Sequence, residues 1–124
     1  TIKRLVREGQ IDEAYDKIVK FQDKNKLKIL KSSATLLYAD IMYKKGTVRL
    51  ARKAVWVLKQ GINSSIIQKE DLLEAYKLLV VLNLRINKPK DAKYYARSIG
   101  KIFDNPLSKA YGKIALAQIH IYKR

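Results

Sequence analysis

Small and apolar residues recur along the chain at intervals of four and three, the spacing that keeps side chains on one face of an α-helix. Ala14, Ile18 and Phe21 form one such stripe, Ala51, Val55 and Leu58 a second, and Ala92, Ala96 and Ile99 a third. Each stripe starts five residues after a break in the pattern. The breaks read Gly9-Gln10-Ile11-Asp12-Glu13-Ala14, Gly46-Thr47-Val48-Arg49-Leu50-Ala51 and Asn87-Lys88-Pro89-Lys90-Asp91-Ala92, and they align without gaps. Glycine and asparagine tolerate the positive φ that ends a helix, so each break reads as a turn between two helices. The alanine beyond it marks a place where a neighbouring helix comes close. Gly46 follows Gly9 by 37 residues and Asn87 follows Gly46 by 41, within the range of helical-hairpin repeats.

Further stripes precede the breaks: Leu37, Tyr38, Ile41 and Met42, then Leu72, Leu73, Tyr76, Leu79, Val80 and Asn83. Tyr111, Ala115 and Ile119 begin a fourth unit. Asn105 is placed to cap a helix opening at Pro106, where a missing N–H costs nothing, and Ser65 with Gln68 reads as a capping box. The pattern predicts seven helices, over about 1–8, 12–25, 31–45, 48–61, 66–86, 89–102 and 106–122. No segment alternates with period two for the length of a strand, so the fold class is all-α. The 124 residues are expected to form a single helical-repeat domain, with units at about 1–26, 31–62, 66–102 and 106–124. The chain opens without methionine on a helical pattern and ends within another. It is therefore expected to be a segment of a longer protein. Ile114, Leu116, Ile119 and Ile121 leave the last helix apolar on more than one side. Another helix, from a longer chain or a second copy, is expected to cover it.

These hairpins, with a short turn and a small residue deep in the second helix, resemble tetratricopeptide repeats. The first-helix matches are Tyr38-Ala39 with Met42, Leu79-Val80 with Asn83, and Tyr111-Gly112 with Ala115; the alanine series supplies the second helix, and Asn105-Pro106 falls near the terminal proline. No unit carries the tryptophan near its start, and the spacings exceed the usual 34 residues. Another helical-hairpin solenoid and a non-repeat bundle stay open as alternatives. The resemblance implies a right-handed α-solenoid of about three hairpins plus a terminal helix. It also implies a concave groove, lined by first helices, that holds an extended peptide or a partner helix. Projected onto this chain, that face carries Ser33, Leu36, Asp40, Tyr43 and Lys44, then Glu74, Lys77, Val81, Leu84 and Arg85, then Lys109, Lys113 and Leu116. The family's clamp for a C-terminal carboxylate, lysine with asparagine four residues on, is missing: Val81 follows Lys77 and Lys113 follows Lys109.

Charge bears on the partner. The chain has 27 basic and 11 acidic residues, a net charge of +16, and the excess grows toward the C-terminus. Such a field attracts acidic protein, nucleic acid or anionic lipid. Lysine outnumbers arginine 20 to 7, which also fits a purely compositional origin. The cations of the projected face bias it toward an acidic or amphipathic protein segment.

Enzyme chemistry finds little purchase. Cysteine is absent, His120 is the one histidine, and no phosphate loop, metal-ligand spacing or triad order occurs. Asp12, Glu13 and Asp16, like Glu70, Asp71 and Glu74, lie toward helix N-termini, where carboxylates complement the dipole. No cofactor is implied. Trp56, with Arg52, Lys53 and Lys59 three or four residues away, reads either as an aromatic anchor or as a ring buried against the next hairpin, and burial is the expectation. Of Tyr94 and Tyr95 only one can face the core. Tyr38, Tyr76 and Tyr111 occupy core-type positions, which leaves few rings to stack on bases. The functional expectation is a non-enzymatic protein-interaction scaffold. An RNA-binding helical-repeat module resembling pentatricopeptide proteins and a small secretion-type chaperone are the alternatives.

Overall fold

The computed structural model describes residues 2–24, 32–102 and 106–122, all helix and turn. Seven α-helices follow in order: α1 (Ile2–Arg7), α2 (Ile11–Lys24), α3 (Ser32–Lys45), α4 (Val48–Asn63), α5 (Leu72–Arg85), α6 (Pro89–Ile102) and α7 (Pro106–Tyr122). A 3-10 turn at Lys69–Asp71 leads into α5. Asn105 and the side chains of Phe21, Ser33, Tyr111, His120 and Ile121 lie outside the described residues.

The three breaks become equivalent turns. Gly9, Gly46 and Asn87 take φ of 79°, 85° and 60°. At Gly9 and Asn87 two backbone bonds fold the chain over the helix end: Gly9 N–H to Val6 and Gln10 N–H to Leu5, Asn87 N–H to Leu84 and Lys88 N–H to Asn83. The residue after each break then caps the next helix. The carbonyls of Gln10, Thr47 and Lys88 accept from the amides of Ala14, Ala51 and Ala92, and the Thr47 hydroxyl also accepts from Leu50 N–H at 3.2 Å. All three alanines are buried, with Ile18, Val55, Leu58, Ala96 and Ile99 behind them.

Ser65 does not cap α5. It takes a φ of 58° and closes α4 instead, donating its N–H to Ile62 while Ile66 N–H reaches Gly61. This fourth left-handed turn sends Ile67 into the core beside Gly61, where an added Cβ would stand 3.0 Å from the Ile67 side chain. The 66–86 helix therefore shortens to begin at Leu72. The connection is tied to α3 by Ser32, whose Oγ accepts from Gln68 N–H at 2.9 Å and donates to Asp71 at 2.5 Å.

Each helix packs on the next along the chain, and α3 also touches α5, and α5 touches α7. Two buried clusters result. The larger joins α1 to α5 around Tyr38, Ile41, Met42, Leu58, Leu79 and Leu82, and the smaller joins α5, α6 and α7 around Val80, Ala96, Ile99 and Ile119. Tyr76 and Tyr95, with ring centroids 5.6 Å apart, pack against both. Burial raises the pKa of both phenols above its ordinary value.

Candidate functional site

The residues projected for the partner-binding face lie on α3, α5 and α7. On α3, Leu36 and Tyr43 are half-buried, and Asp40 pairs with the exposed Lys44 at 3.0 Å. On α5, Val81 is half-buried and Lys77 pairs with Glu74 at 3.4 Å. Arg85 reaches back to α3. Its guanidinium lies 4.8 Å from the centre of the Tyr43 ring, and its Nη1 donates to the Gly46 carbonyl at 3.3 Å. Tyr43, Arg85 and the turn at Gly46 thus form one patch across two helices. Its cations are already engaged within the chain, which leaves this face less basic than its sequence.

On α7 the picture rotates. The buried residues Leu79 and Leu82 of α5, and Ile86 just after it, lie 33 positions before Gly112, Ala115 and Ile119, all buried. The sequence alignment paired Leu79-Val80 with Tyr111-Gly112, a shift of 32, which matches buried Val80 and Asn83 with buried Gly112 and Ala115 and leaves Leu79 opposite the undescribed Tyr111 side chain. One residue turns a helix face by about 100°. At a shift of 33, Lys77, Val81 and Leu84 correspond to Ala110, Ile114 and Ala117, which are exposed. Lys109 and Lys113 move to the flank of α7 that faces α6. There they line an open cleft of about 460 Å³ with Arg97 and Lys101 across from them and Ala96, Gly100, Gly112 and Leu116 between. Ile114, 57% exposed, is the large apolar side chain that α7 leaves uncovered among the described residues, whereas Ile119 is buried and Leu116 half-buried.

Trp56 is 62% exposed, which overturns its expected burial. Helix α4 spends its inward face on Ala51, Ala54, Val55 and Leu58, and the position after Val55 points outward among exposed Arg52, Lys53 and Lys59. Tyr94, 64% exposed, stands edge-on to half-buried Tyr95 at 5.1 Å, and it shares a shallow pocket with Lys90, Lys93, Arg97 and Lys101. The signal for both rings was their one-residue offset from a buried stripe.

Two cations nearer the N-terminus, Lys45 and Lys53, are engaged within the chain. Lys45 of α3 bonds Asp12 of α2 and sits 5.4 Å from the Tyr15 ring centre, and the Asp12 bond raises its pKa. Lys53 lies 5.6 Å from the centre of the buried Tyr38 ring, and Tyr38 raises its pKa. Among the described residues no three histidine, aspartate or glutamate side chains gather to hold a metal, and no helix is long and apolar enough to cross a membrane. Neither a protein-family profile nor a curated protein nor a solved structure matches the chain.

Proposed function

We propose that the chain is a non-enzymatic interaction scaffold, a tetratricopeptide-like α-solenoid that binds an acidic or amphipathic protein segment. The observation that carries this reading is the repetition of one arrangement. Equivalent turns at Gly9, Gly46 and Asn87 precede equivalent buried alanines, and the first helices touch in the order α3, α5, α7. Their shared face offers half-buried apolar side chains, Leu36, Tyr43 and Val81, beside Lys44, Lys77 and Arg85. That mixture suits a partner with both apolar and acidic residues. The test is capture of protein by the immobilised chain before and after nuclease. A partner that survives nuclease and is lost with Val81→Asp supports the reading; material that vanishes with nuclease refutes it.

A second reading rests on the exposed rings. Trp56 and Tyr94 each project among cations, the combination that single-stranded RNA exploits by stacking and phosphate contact. It requires oligouridylate binding that weakens in Trp56→Ala and falls steeply with salt. Salt-insensitive or absent oligouridylate binding removes it.

A further inference from the structure

We infer that the exposed face of α4 is a peripheral docking surface for an anionic lipid bilayer, with Trp56 entering the headgroup region and the helix lying flat along it. This goes beyond both readings above. The scaffold face lies on α3 and α5, and the nucleic-acid reading competes for the same ring.

Helix α4 divides into two arcs. Leu50, Ala51, Ala54, Val55, Leu58 and Gly61 are buried. At 100° per residue, Leu50 stands about 120° to one side of Trp56 and Val55 about 100° to the other, so the ring points straight away from the core. Its 62% exposure agrees. Cations flank it on both sides. Arg52 and Lys59 lie about 40° and 60° round the helix on one side, and Arg49 and Lys53 about 20° and 60° on the other. All four are exposed, with Lys53 also reaching the Tyr38 ring. Val48, 46% exposed, continues the same arc two turns before Trp56. None of the 16 residues of α4 is acidic.

Each part of this arrangement suits a bilayer surface. The amphipathic indole settles at headgroup level. Arginine and lysine beside it keep their charge among the phosphates while their stems cover apolar surface. Each cation near an anionic leaflet raises partitioning about fivefold. From Arg49 to Lys59 the cations spread over about 15 Å of helix, so a plane meets them together, within a Debye length of its surface.

Other occupants match less of the face. Single-stranded nucleic acid stacks successive bases on successive rings, but α4 carries one ring and the exposed Tyr94 belongs to α6. Val48 offers such a strand neither charge nor a stacking plane. An acidic helix docks in a groove, whereas this arc is convex and centred on a projecting ring. A second copy would oppose the same cations to themselves.

The chain has one tryptophan, so its intrinsic fluorescence reports on this face alone. The probe is vesicles of mixed phosphatidylcholine and phosphatidylserine, compared with phosphatidylcholine alone. With the mixed vesicles the Trp56 emission is expected to shift to the blue and to be quenched by brominated acyl chains; with the neutral vesicles it should do neither. Arg52→Glu with Lys59→Glu should weaken binding at least about tenfold, an effect that shrinks at high salt. Lys109→Glu with Lys113→Glu makes the same net-charge change on α7 and should leave binding within about twofold. Trp56→Ala should weaken co-sedimentation with the mixed vesicles about tenfold with an unchanged circular dichroism spectrum. An unshifted emission, equal loss from the Lys109/Lys113 control, or full co-sedimentation of Trp56→Ala would each overturn the inference. Oligouridylate that quenches Trp56 without a blue shift and strips the chain from the vesicles would overturn it too, and would assign the ring to nucleic acid. Capture of a protein through Val81 is untouched by any of these results, so the scaffold reading fails separately.

Discussion

At Gly112, helix α7 lies so close to α6 that an added Cβ would stand 3.1 Å from the Ala96 carbonyl oxygen and 3.3 Å from the Gly100 nitrogen. Relaxed heavy-atom contacts lie nearer 3.5 Å or beyond. Both obstacles are helix backbone, so relief means moving α7 away from α6 by a few tenths of an ångström. That movement loosens the contact that buries Ala96, Ile99, Ala115 and Ile119. Gly112→Ala therefore sets two effects against each other. Alanine gains about 1 kcal/mol over glycine inside a helix. Overpacking a close contact costs about 1–3 kcal/mol. Taking the middle of that range, the variant loses about 1 kcal/mol net. Gly100→Ala is the matched control, since nothing stands within 4 Å of its added Cβ. It keeps only the propensity gain, about 0.5–1 kcal/mol near the helix end. For a domain of this size, 1 kcal/mol moves the midpoint by roughly 4 °C, which places the two variants about 6–8 °C apart. Thermal unfolding followed by far-ultraviolet circular dichroism measures the difference. If Gly112→Ala melts as high as Gly100→Ala, α6 and α7 do not approach as described, and the floor of the cleft falls with that approach.

Ala51→Phe should overpack the α3–α4 contact and cost about 1–3 kcal/mol in chemical denaturation; an unchanged midpoint would contradict the turn register. Asn83 is buried with its Nδ2 donating to the Leu79 carbonyl at 2.7 Å and its Oδ1 unpartnered among the described residues. Asn83→Leu should therefore raise stability by about 1 kcal/mol, and a loss would mean that Oδ1 is satisfied. Burial raises the pKa of Tyr76 and Tyr95 above 10.0, so the folded state holds their protons more firmly than the unfolded one. The stability this contributes is complete below pH 10.0 and is lost as pH rises through the folded values. Tyr76→Phe with Tyr95→Phe should flatten the alkaline fall in melting temperature, and an unchanged fall would assign it to other groups.

The helices and hairpin turns were legible because their determinants are local. Gly9, Gly46 and Asn87 state a backbone preference within one residue, and a stripe such as Ala51-Val55-Leu58 carries its own periodicity. Ser65 was misread because its reason is not local. As a sequence it is a capping residue three before a glutamine, but α4 needs a left-handed closure that drops Ile67 onto Gly61 and delivers Gln68 to Ser32. The Arg85–Tyr43 contact and the Lys45–Asp12 pair were equally out of reach, since each joins residues more than thirty positions apart. Trp56 failed for a simpler reason. Six buried residues, Leu50, Ala51, Ala54, Val55, Leu58 and Gly61, already fill the inward face of α4, and a ring one step off that face has nowhere to go but out.

The positive charge shows why register carries more functional information than composition. In the sequence register, Lys109 and Lys113 extend the line of Lys77 and Arg85 into a single basic groove. In the structure Gly112, Ala115 and Ile119 are the buried residues of α7 among those described, and Lys109 and Lys113 lie on the side of the α6–α7 cleft. On α7 Ala110, Ile114 and Ala117 are exposed and uncharged, while Lys109 and Lys113 line the cleft with Arg97 and Lys101. On α3 and α5 the wall's cations are largely held by Asp40, Glu74, the Tyr43 ring and the Gly46 carbonyl. Under the scaffold reading proposed above, apolar contact on this face falls to Leu36, Tyr43 and Val81, so Val81→Asp should weaken capture of a protein partner while leaving the helical signal in circular dichroism unchanged.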